Sequence, residues 1–197
     1  MKNLAVFCSS SNALDNRFYN FAEVFARQMA IEGYNLVYGG ANVGMMKHIA
    51  ETVKKNGGKI IGVIPKAFAQ RGLVDEKADE IIIVLDLHER KKKIVEMSYG
   101  FVALPGGFGT LDELLEVIVL KQLAFIDGPI VILNFDVFFD NIIKQFDLIF
   151  ENKFAKPHIK DLYYVASCVD EVFDYLRFYE PNLDKDWHKV NREDFKK

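Results

Sequence analysis

One stretch, Gly100-Phe-Val-Ala-Leu-Pro-Gly-Gly-Phe-Gly-Thr-Leu-Asp-Glu113, restricts the possible folds more than any other part of the chain. Its apolar run over 101–104 is typical of a buried parallel strand, and Pro105 ends that run. Three glycines follow within four positions, at Gly106, Gly107 and Gly109. They let the backbone turn tightly and approach a ligand. A helix opening at Thr110 would then point free N–H groups toward an anion such as phosphate.

The same residues have a second interpretation, because Thr110 and Glu113 have the spacing of a capping box. In a capping box the two side chains only satisfy backbone donors at the start of a helix. Spacing alone does not separate this structural role from a catalytic one. We favour a site, since three glycines exceed what a turn needs and open α/β sheets bind ligands at the carboxyl ends of their strands.

Strand-like and helix-like segments alternate along the chain, which predicts a doubly wound α/β fold. We expect a mostly parallel, Rossmann-like sheet with helices on both faces. A single nucleotide-binding domain would cover 1–180, followed by a charged appendage over 181–197. In a Rossmann-like order, the first strand and the 101–104 strand flank the switch point. Ser9, which follows the first strand, would face the glycine turn as a phosphate or ribose contact, or belong to a plain polar loop.

A second glycine turn, over 39–44, fails two nucleotide-binding patterns. The dinucleotide fingerprint needs glycine where Ala41 stands, and neither turn continues into the Gly-Lys-Ser/Thr of a P-loop. We expect this turn to line the same crevice, with Gly40 as a substrate contact. The following segment over 66–78 has no clear period and is either a surface loop or a flap over the crevice.

The helix predicted over 86–99 places two cations, Arg90 and Lys91, on its apolar stripe. A charge on an inward stripe needs a partner or an anion, unless the side chain extends to solvent. Together with the glycine cradle and Glu113, this set suits cleavage of an N-glycosidic bond. A carboxylate can stabilise the oxocarbenium-like state while it orients water. The helix dipole is expected to favour the ionised form of Glu113.

The composition argues against some kinds of partner and indicates a cellular compartment. A formal charge of −3 argues against nucleic acid, whose phosphates require a basic surface. No apolar run reaches the roughly 20 residues of a membrane span. Cys8 and Cys168 lack CxxC spacing and no signal-peptide pattern precedes the first strand, so we expect two buried thiols in the cytoplasm. The four histidines are scattered without ligand spacing, and we expect no metal.

Two motifs together resemble the LOG family of cytokinin riboside 5′-monophosphate phosphoribohydrolases. Pro105-Gly-Gly-Phe-Gly-Thr-Leu-Asp-Glu113 matches the family motif PGGxGTxxE in full. Leu87-His-Glu-Arg-Lys91 matches the companion motif MHxRK except at Leu87. Similar segments extend over the first two thirds of the chain. The chain differs from the family pattern at Ala41, Lys47 and Leu87, and it lacks the family's Trp shortly before Gln122. We expect these differences to affect the pocket for the base more than the phosphate site.

The resemblance implies hydrolysis of AMP or N6-modified adenosine 5′-monophosphates to the free base and ribose 5-phosphate, without a cofactor. It assigns catalysis to Arg90 and Glu113. It assigns substrate contacts to the counterparts of the family's phosphate and ribose residues: Lys91, Gly106, Gly107, Gly109 and Thr110. It also implies a homodimer, and the helix over 111–123, apolar on more than one face, is either buried or part of a subunit interface.

Two other functions stay open at this stage. One is a binding module of the same fold that holds a nucleotide without cleaving it, and the other is a nicotinamide-dependent oxidoreductase, which Ala41 weakens. Arg90 and Glu113 favour the enzyme, since a pure binder needs the glycine cradle but not the carboxylate. A lysine decarboxylase has no support, because no lysine stands in a context suited to pyridoxal phosphate.

Overall fold

The computed structural model describes residues 2–181 of the chain. The strands in this part are β1 (Lys2–Phe7), β2 (Tyr34–Tyr38), β3 (Ile60–Pro65), β4 (Glu80–Val84), β5 (Gly100–Ala103), β6 (Ile130–Leu133) and β7 (Tyr164–Ala166). The α-helices are α1 (Asn16–Ile31), α2 (Gly44–Lys55), α3 (Lys66–Ala69), α4 (Leu87–Met97), α5 (Phe108–Gln122), α6 (Asp140–Glu151) and α7 (Val169–Phe178). Two 3₁₀ helices cover Phe135–Val137 and Pro157–Leu162.

The strands form one sheet in the order β4-β3-β2-β1-β5-β6-β7, and every neighbouring pair is parallel. The predicted α/β fold with a Rossmann-like order is therefore confirmed, and the described sheet is wholly parallel. β1 lies between β2 and β5, with Phe7 in register with Ala103. The chain reverses its direction of strand addition at this point, so the carboxyl ends of β1 and β5 flank a crevice.

Two apolar layers cover the two faces of the sheet. One packs α1, α2 and α7 against the side chains of Leu4, Val6 and Leu36. The other packs α4, α5 and α6 against the alternate residues, among them Ala5 and Phe7. Because successive side chains of a strand point to opposite faces, near-continuous apolar strands are required by a sheet that is covered on both sides.

Two local expectations need correction, and the segment after β6 is irregular. α5 begins at Phe108, two residues before the predicted start, because Gly107 takes the N-cap position. In the Phe-rich segment after β6, Asp136 and Val137 have positive φ angles, and α6 begins only at Asp140. The thiol expectation is wrong for Cys168, which is exposed at the N-cap of α7, whereas Cys8 is partly buried.

The segment over 66–78 is tied to the turn that follows β2. Ala41 and Val74 form an antiparallel bridge, and the amide of Asp75 donates to the carbonyl of Gly40 at 2.9 Å. The buried carboxylate of Asp75 accepts a 2.7 Å hydrogen bond from the hydroxyl of Tyr38. This part of the chain is thus a strap that holds the second glycine turn in place.

The predicted C-terminal appendage and the expected lack of a membrane span are tested only as far as the described residues reach. The predicted appendage over 181–197 lies outside the described residues, apart from Pro181. Within residues 2–181, the helices are too short or too polar to cross a membrane.

Candidate active site

The candidate site lies where β1, β2, β3 and β5 end. β1 runs into Ser9, β2 into the turn over 39–44, and β5 into the turn over Gly106–Thr110. α4, which follows β4, directs Arg90 toward the same edge. The topology therefore gathers into one crevice segments that are separated by up to a hundred positions along the chain.

Arg90 points inward, as its place on the apolar stripe predicts. Its side chain is 16% exposed, and Nη1 lies 2.9 Å from Oε1 of Glu113. Nε donates a 3.2 Å hydrogen bond to the carbonyl of Val63 at the end of β3. The alternative in which Arg90 extends to solvent is wrong, because the guanidinium is held by two different elements.

Glu113 is a buried carboxylate on the inner face of α5, with a side chain only 10% exposed. Burial raises the pKa of Glu113 above its ordinary value, although the adjacent Arg90 charge opposes this shift. This shift is opposite to the expectation that the helix dipole favours the ionised form of Glu113. Glu113 lies beyond the first turn of α5, where the effect of the dipole fades, and desolvation dominates. A raised pKa brings the carboxyl closer to the range of acid–base catalysis near neutral pH.

The capping-box interpretation of Thr110 and Glu113 is wrong. Gly107 is the N-cap of α5 and makes no side-chain capping bond, while Thr110 is buried inside the first helical turn. Glu113 faces Arg90 instead of returning to the backbone. The first N–H groups of α5 accordingly have no capping partner among residues 2–181, which leaves them available to an anion.

The glycines of this turn divide into two kinds. A Cβ built on Gly106 would overlap the side chain of Thr110, so the packing of the turn itself requires glycine there. A Cβ on Gly107 or Gly109 would meet nothing within 4 Å, and neither residue has a positive φ. The described protein gives no packing reason for these two glycines, which is what a surface shaped for close approach of a ligand would show.

The N-terminus of α2, at the other glycine turn, is already occupied by the chain itself. The amide of Gly44 donates to Oδ1 of Asn12 at 2.8 Å, and the amide of Met45 donates to the carbonyl of Ser9 at 3.1 Å. The hydroxyl of Ser9 accepts from the amide of Ser11 at 3.1 Å. Ser9 and Gly40 therefore have structural roles at this edge, and their contact with substrate stays a prediction.

The side chain of Lys91, a residue of α4, is paired with two carboxylates of α5. Its ammonium lies 3.1 Å from Asp112 and 2.6 Å from Glu116, two carboxylates that flank Glu113 on α5. Although burial opposes the shift, these carboxylates hold the pKa of Lys91 above its ordinary value. The structure thus shows Lys91 as a clamp beside the Arg90–Glu113 pair, and its contact with substrate stays a prediction.

The described side chains near the Arg90–Glu113 pair do not favour catalysis by a thiolate or by a metal ion. Burial and the neighbouring charge of Glu113 strongly raise the pKa of the Cys8 thiol, so Cys8 is unsuited to act as a thiolate nucleophile. Within residues 2–181, no group of three or more His, Cys, Asp or Glu side chains is placed to hold a metal ion. The arrangement can therefore bind an anion at α5 and present one carboxylate and one guanidinium to it.

Sequence reasoning missed the neighbours of Arg90 in β3 and in the turn after β2. The carbonyl of Val63 is a backbone acceptor and leaves no residue-type signal. Gly39 lies directly beside the guanidinium, where a Cβ would overlap Nη2 of Arg90. The only signal for this residue was its membership of the Gly39–Gly40 pair, which equally fits an ordinary tight turn.

A family model described as "Possible lysine decarboxylase" matches residues 46–176. The "probable cytokinin riboside 5′-monophosphate phosphoribohydrolase LOGL6" of Oryza sativa subsp. japonica is 35% identical over 184 residues, 93% of this chain and 74% of the rice protein. The cytokinin riboside 5′-monophosphate phosphoribohydrolase LOG5 of Arabidopsis thaliana is 35% identical over 180 residues, 91% of this chain and 79% of that protein. The chain belongs to the LOG family.

Solved structures show the same fold at greater distance. The molybdenum cofactor binding protein from Rippkaea orientalis aligns with a TM-score of 0.69 and 21% identity, over 89% of this chain and 95% of that one. The molybdenum cofactor carrier protein from Chlamydomonas reinhardtii aligns with a TM-score of 0.68 and 22% identity, over 89% and 96%. At these identities the likeness concerns the fold alone. Arg90 and Glu113 both lie within residues 46–176, the part of the chain that the family model matches.

Proposed function

We propose that this protein is a phosphoribohydrolase that cleaves the N-glycosidic bond of AMP or of N6-modified adenosine 5′-monophosphates. The observation that carries the proposal is the buried Arg90–Glu113 pair, 2.9 Å apart, beside the uncapped N-terminus of α5. Relatives covering more than nine tenths of the chain are named as cytokinin riboside 5′-monophosphate phosphoribohydrolases. A module that only bound nucleotides would need the cradle and would gain nothing from burying a carboxylate.

Substrate binding would start at the phosphate. The backbone amides of the Gly107–Thr110 turn and the positive end of α5 would hold it, and Gly107 and Gly109 leave room for its oxygens. The ribose would then extend toward Arg90. The Nη2 group of Arg90 makes no hydrogen bond or ion pair to the described residues, so it is free to donate to the sugar or the leaving base.

Bond cleavage would depend on Glu113. As positive charge develops at C1′, the carboxylate would stabilise it and accept a proton from the attacking water. The glycosidic electron pair leaves with the base, whose nitrogen takes up a proton from solvent, and Glu113 later returns its own proton to solvent. Arg90 stabilises the ionised form of Glu113 against the effect of burial. The products are the free base and ribose 5-phosphate, and the scheme needs no cofactor.

The proposal includes a homodimer that uses the outer face of α5. Leu115, Val119 and Leu123 form an exposed apolar row at helical spacing, and Phe108 at the start of the helix is 92% exposed. Apolar rows on a helix are normally covered, and a second copy would bury this row close to the glycine turn. We also place the protein in the cytoplasm, because both cysteines are free and Cys168 is exposed.

The test is release of free base. The purified protein is incubated with AMP and, separately, with N6-isopentenyladenosine 5′-monophosphate, and the products are separated by liquid chromatography. We expect release from at least one nucleotide, and the ratio of the two rates gives the base preference. Glu113→Gln should lower the rate of release by ~10²-fold or more, whereas Glu96→Gln, the same change at an exposed position of α4, should not.

Two results would count against the proposal. Release at the wild-type rate in Glu113→Gln would exclude Glu113 as the catalytic carboxylate. Binding of AMP without release of base by the wild-type protein would favour a nucleotide-binding module. Light scattering at micromolar concentration tests the dimer independently, since a monomer would mean that the row on α5 has another use.

A further inference from the structure

The guanidinium of Arg90 is fixed from three sides. α5 supplies Glu113 at Nη1, and β3 supplies the carbonyl of Val63 at Nε. The third side is the turn after β2, where Gly39 lies against Nη2. Arg90 itself comes from α4, so its side chain crosses the carboxyl edge of the sheet to reach the ends of β2 and β3.

Gly39 is a glycine for one local reason. A Cβ at this position would overlap Nη2 of Arg90, and would lie 3.3 Å from Cζ of Arg90 and 2.9 Å from Sδ of Met46. Its φ angle is not positive, so the backbone conformation does not require glycine. The space that a side chain would fill is occupied by the guanidinium and by the tip of a flexible methionine.

We propose that Gly39 is a positioning residue whose missing side chain allows Arg90 to hold its productive orientation. The inference rests on the proposed function, because it concerns the same site. A methyl group at position 39 displaces the guanidinium from Val63 and Glu113 together, since both contacts need the present course of the side chain. Met46 can yield by changing rotamer, whereas the planar guanidinium is fixed at two of its nitrogens.

The experiment is a double-mutant cycle on binding. Gly39→Ala, Arg90→Ala, the double variant and a control are titrated with formycin A 5′-monophosphate, an AMP analogue whose carbon–carbon glycosidic bond resists hydrolysis. The control is Gly100→Ala, at the start of β5 and at the opposite edge of the sheet from Arg90. A Cβ at position 100 would lie 2.8 Å from Pro129, so this variant also adds a methyl group at a closely packed glycine. It accounts for the general effect of such a substitution.

If Gly39 acts through Arg90, the losses will not add. We expect Gly39→Ala and Arg90→Ala each to weaken binding by ~10-fold or more, the value of a charge-assisted contact. The double variant should then bind within about twofold of Arg90→Ala, because no guanidinium remains to be displaced. Gly100→Ala should bind like the wild type. Additive losses, or wild-type binding by Gly39→Ala, would overturn the inference.

A spectroscopic readout separates this inference from the proposed function. In the ligand-free protein, the Nε–Hε resonance of Arg90 is assigned by its loss in Arg90→Ala. It should shift in Gly39→Ala and stay in place in Gly100→Ala, whether or not the protein cleaves AMP. An unshifted resonance would contradict the positioning role, while absence of base release from the wild type would contradict only the proposed function.

If Gly39→Ala does not fold, the double variant still decides. Folding restored by Arg90→Ala in the Gly39→Ala background would show that the guanidinium fills the space in question. Continued failure to fold would place the demand for glycine in the β2 turn itself and overturn the inference.

Discussion

The two ends of α5 each bury one charged side chain on the same helix face, and they do so differently. Near the N-terminus, Glu113 is paired with Arg90 and borders the open glycine turn. Near the C-terminus, Lys121 is 3% exposed, donates to the hydroxyl of Tyr179 at 2.8 Å, and lies 4.7 Å from the centre of that ring. Among residues 2–181 it has no carboxylate within ion-pair distance.

Burial shifts both groups toward their neutral forms. It raises the pKa of Glu113, and it lowers the pKa of Lys121 to about 8, with the charge of Asp127 opposing the shift. A perturbed pKa therefore marks desolvation at both ends and does not identify the site by itself. The N-terminal end differs because it adds an opposite charge and free helix amides, and these are what a phosphorylated substrate needs.

The largest expected difference between the two ends is in turnover. Glu113→Gln should lower the kcat for AMP by ~10²-fold or more, the usual loss when a charge-stabilising group is removed, with AMP affinity changed only a few-fold. Lys121→Met should leave kcat within about twofold. Steady-state kinetics on both variants checks this. A loss of similar size in Lys121→Met would mean that the C-terminal end also takes part in the reaction.

The glycine turn should show a loss of binding that is large relative to its loss of stability. Gly107→Ala adds a methyl group that meets nothing within 4 Å, so we expect the melting temperature to fall by only a few degrees, because alanine is a poorer N-cap than glycine. The methyl group would occupy ligand space at the start of α5, and AMP affinity should fall by ~10-fold, the value of one charge-assisted hydrogen bond. Calorimetric titration and thermal melting check the two halves. Wild-type affinity would move the phosphate away from this turn.

Lys121 should affect stability in a pH-dependent way. Its pKa is about 8 in the folded state and 10.5 ordinarily, so between these values the unfolded chain binds a proton that the folded chain does not. The stability of the wild type should therefore rise with pH across that window. Lys121→Met removes the buried charge, and should be more stable by about 1 kcal/mol at pH 7.

The pH series also supplies the control for this prediction. Denaturant unfolding at intervals between pH 7 and 10.5 should show the advantage of Lys121→Met shrinking above pH 8. A constant difference across the window would attribute the effect to packing against Tyr179 and not to the charge. Lys160, which is exposed and paired with Asp147, is a suitable site for the matched Lys→Met control.

Only part of the N-terminal end of α5 was predictable from sequence. Strand β5, the glycine turn after it and the inward direction of Arg90 follow from local patterns. These are the apolar run, the run of glycines and the apolar stripe of α4. The start of α5 at Phe108 does not follow from a local pattern, because the sequence allows Glu113 to cap a helix that begins at Thr110. The contact between Glu113 and Arg90, which excludes that role, joins two separate helices. The carbonyl of Val63 and the space at Gly39 are backbone features, which residue types do not encode.

Lys121 shows the same limit at the other end. Its position on the buried stripe could be counted from the sequence, but its partner Tyr179 lies 58 residues away, after α7. No local rule distinguishes a lysine that bends out to solvent from one that donates to a phenol in the interior. The fold class was therefore readable from repeated local signals, whereas the polar partners depended on contacts between distant segments.

The smallest predicted effect tests the C-terminal cap of α5. Ala124 has a φ of 57°, the left-handed conformation that usually selects glycine after a helix. Its amide donates to the carbonyl of Lys121 at 3.0 Å, so the conformation is held by the turn that also positions the lysine. Ala124→Gly should relieve the strain at some entropic cost, with a net gain of about 0.5 kcal/mol. Thermal melting should show this gain with unchanged turnover, whereas a loss of stability would mean that the methyl group of Ala124 contributes packing that outweighs the strain.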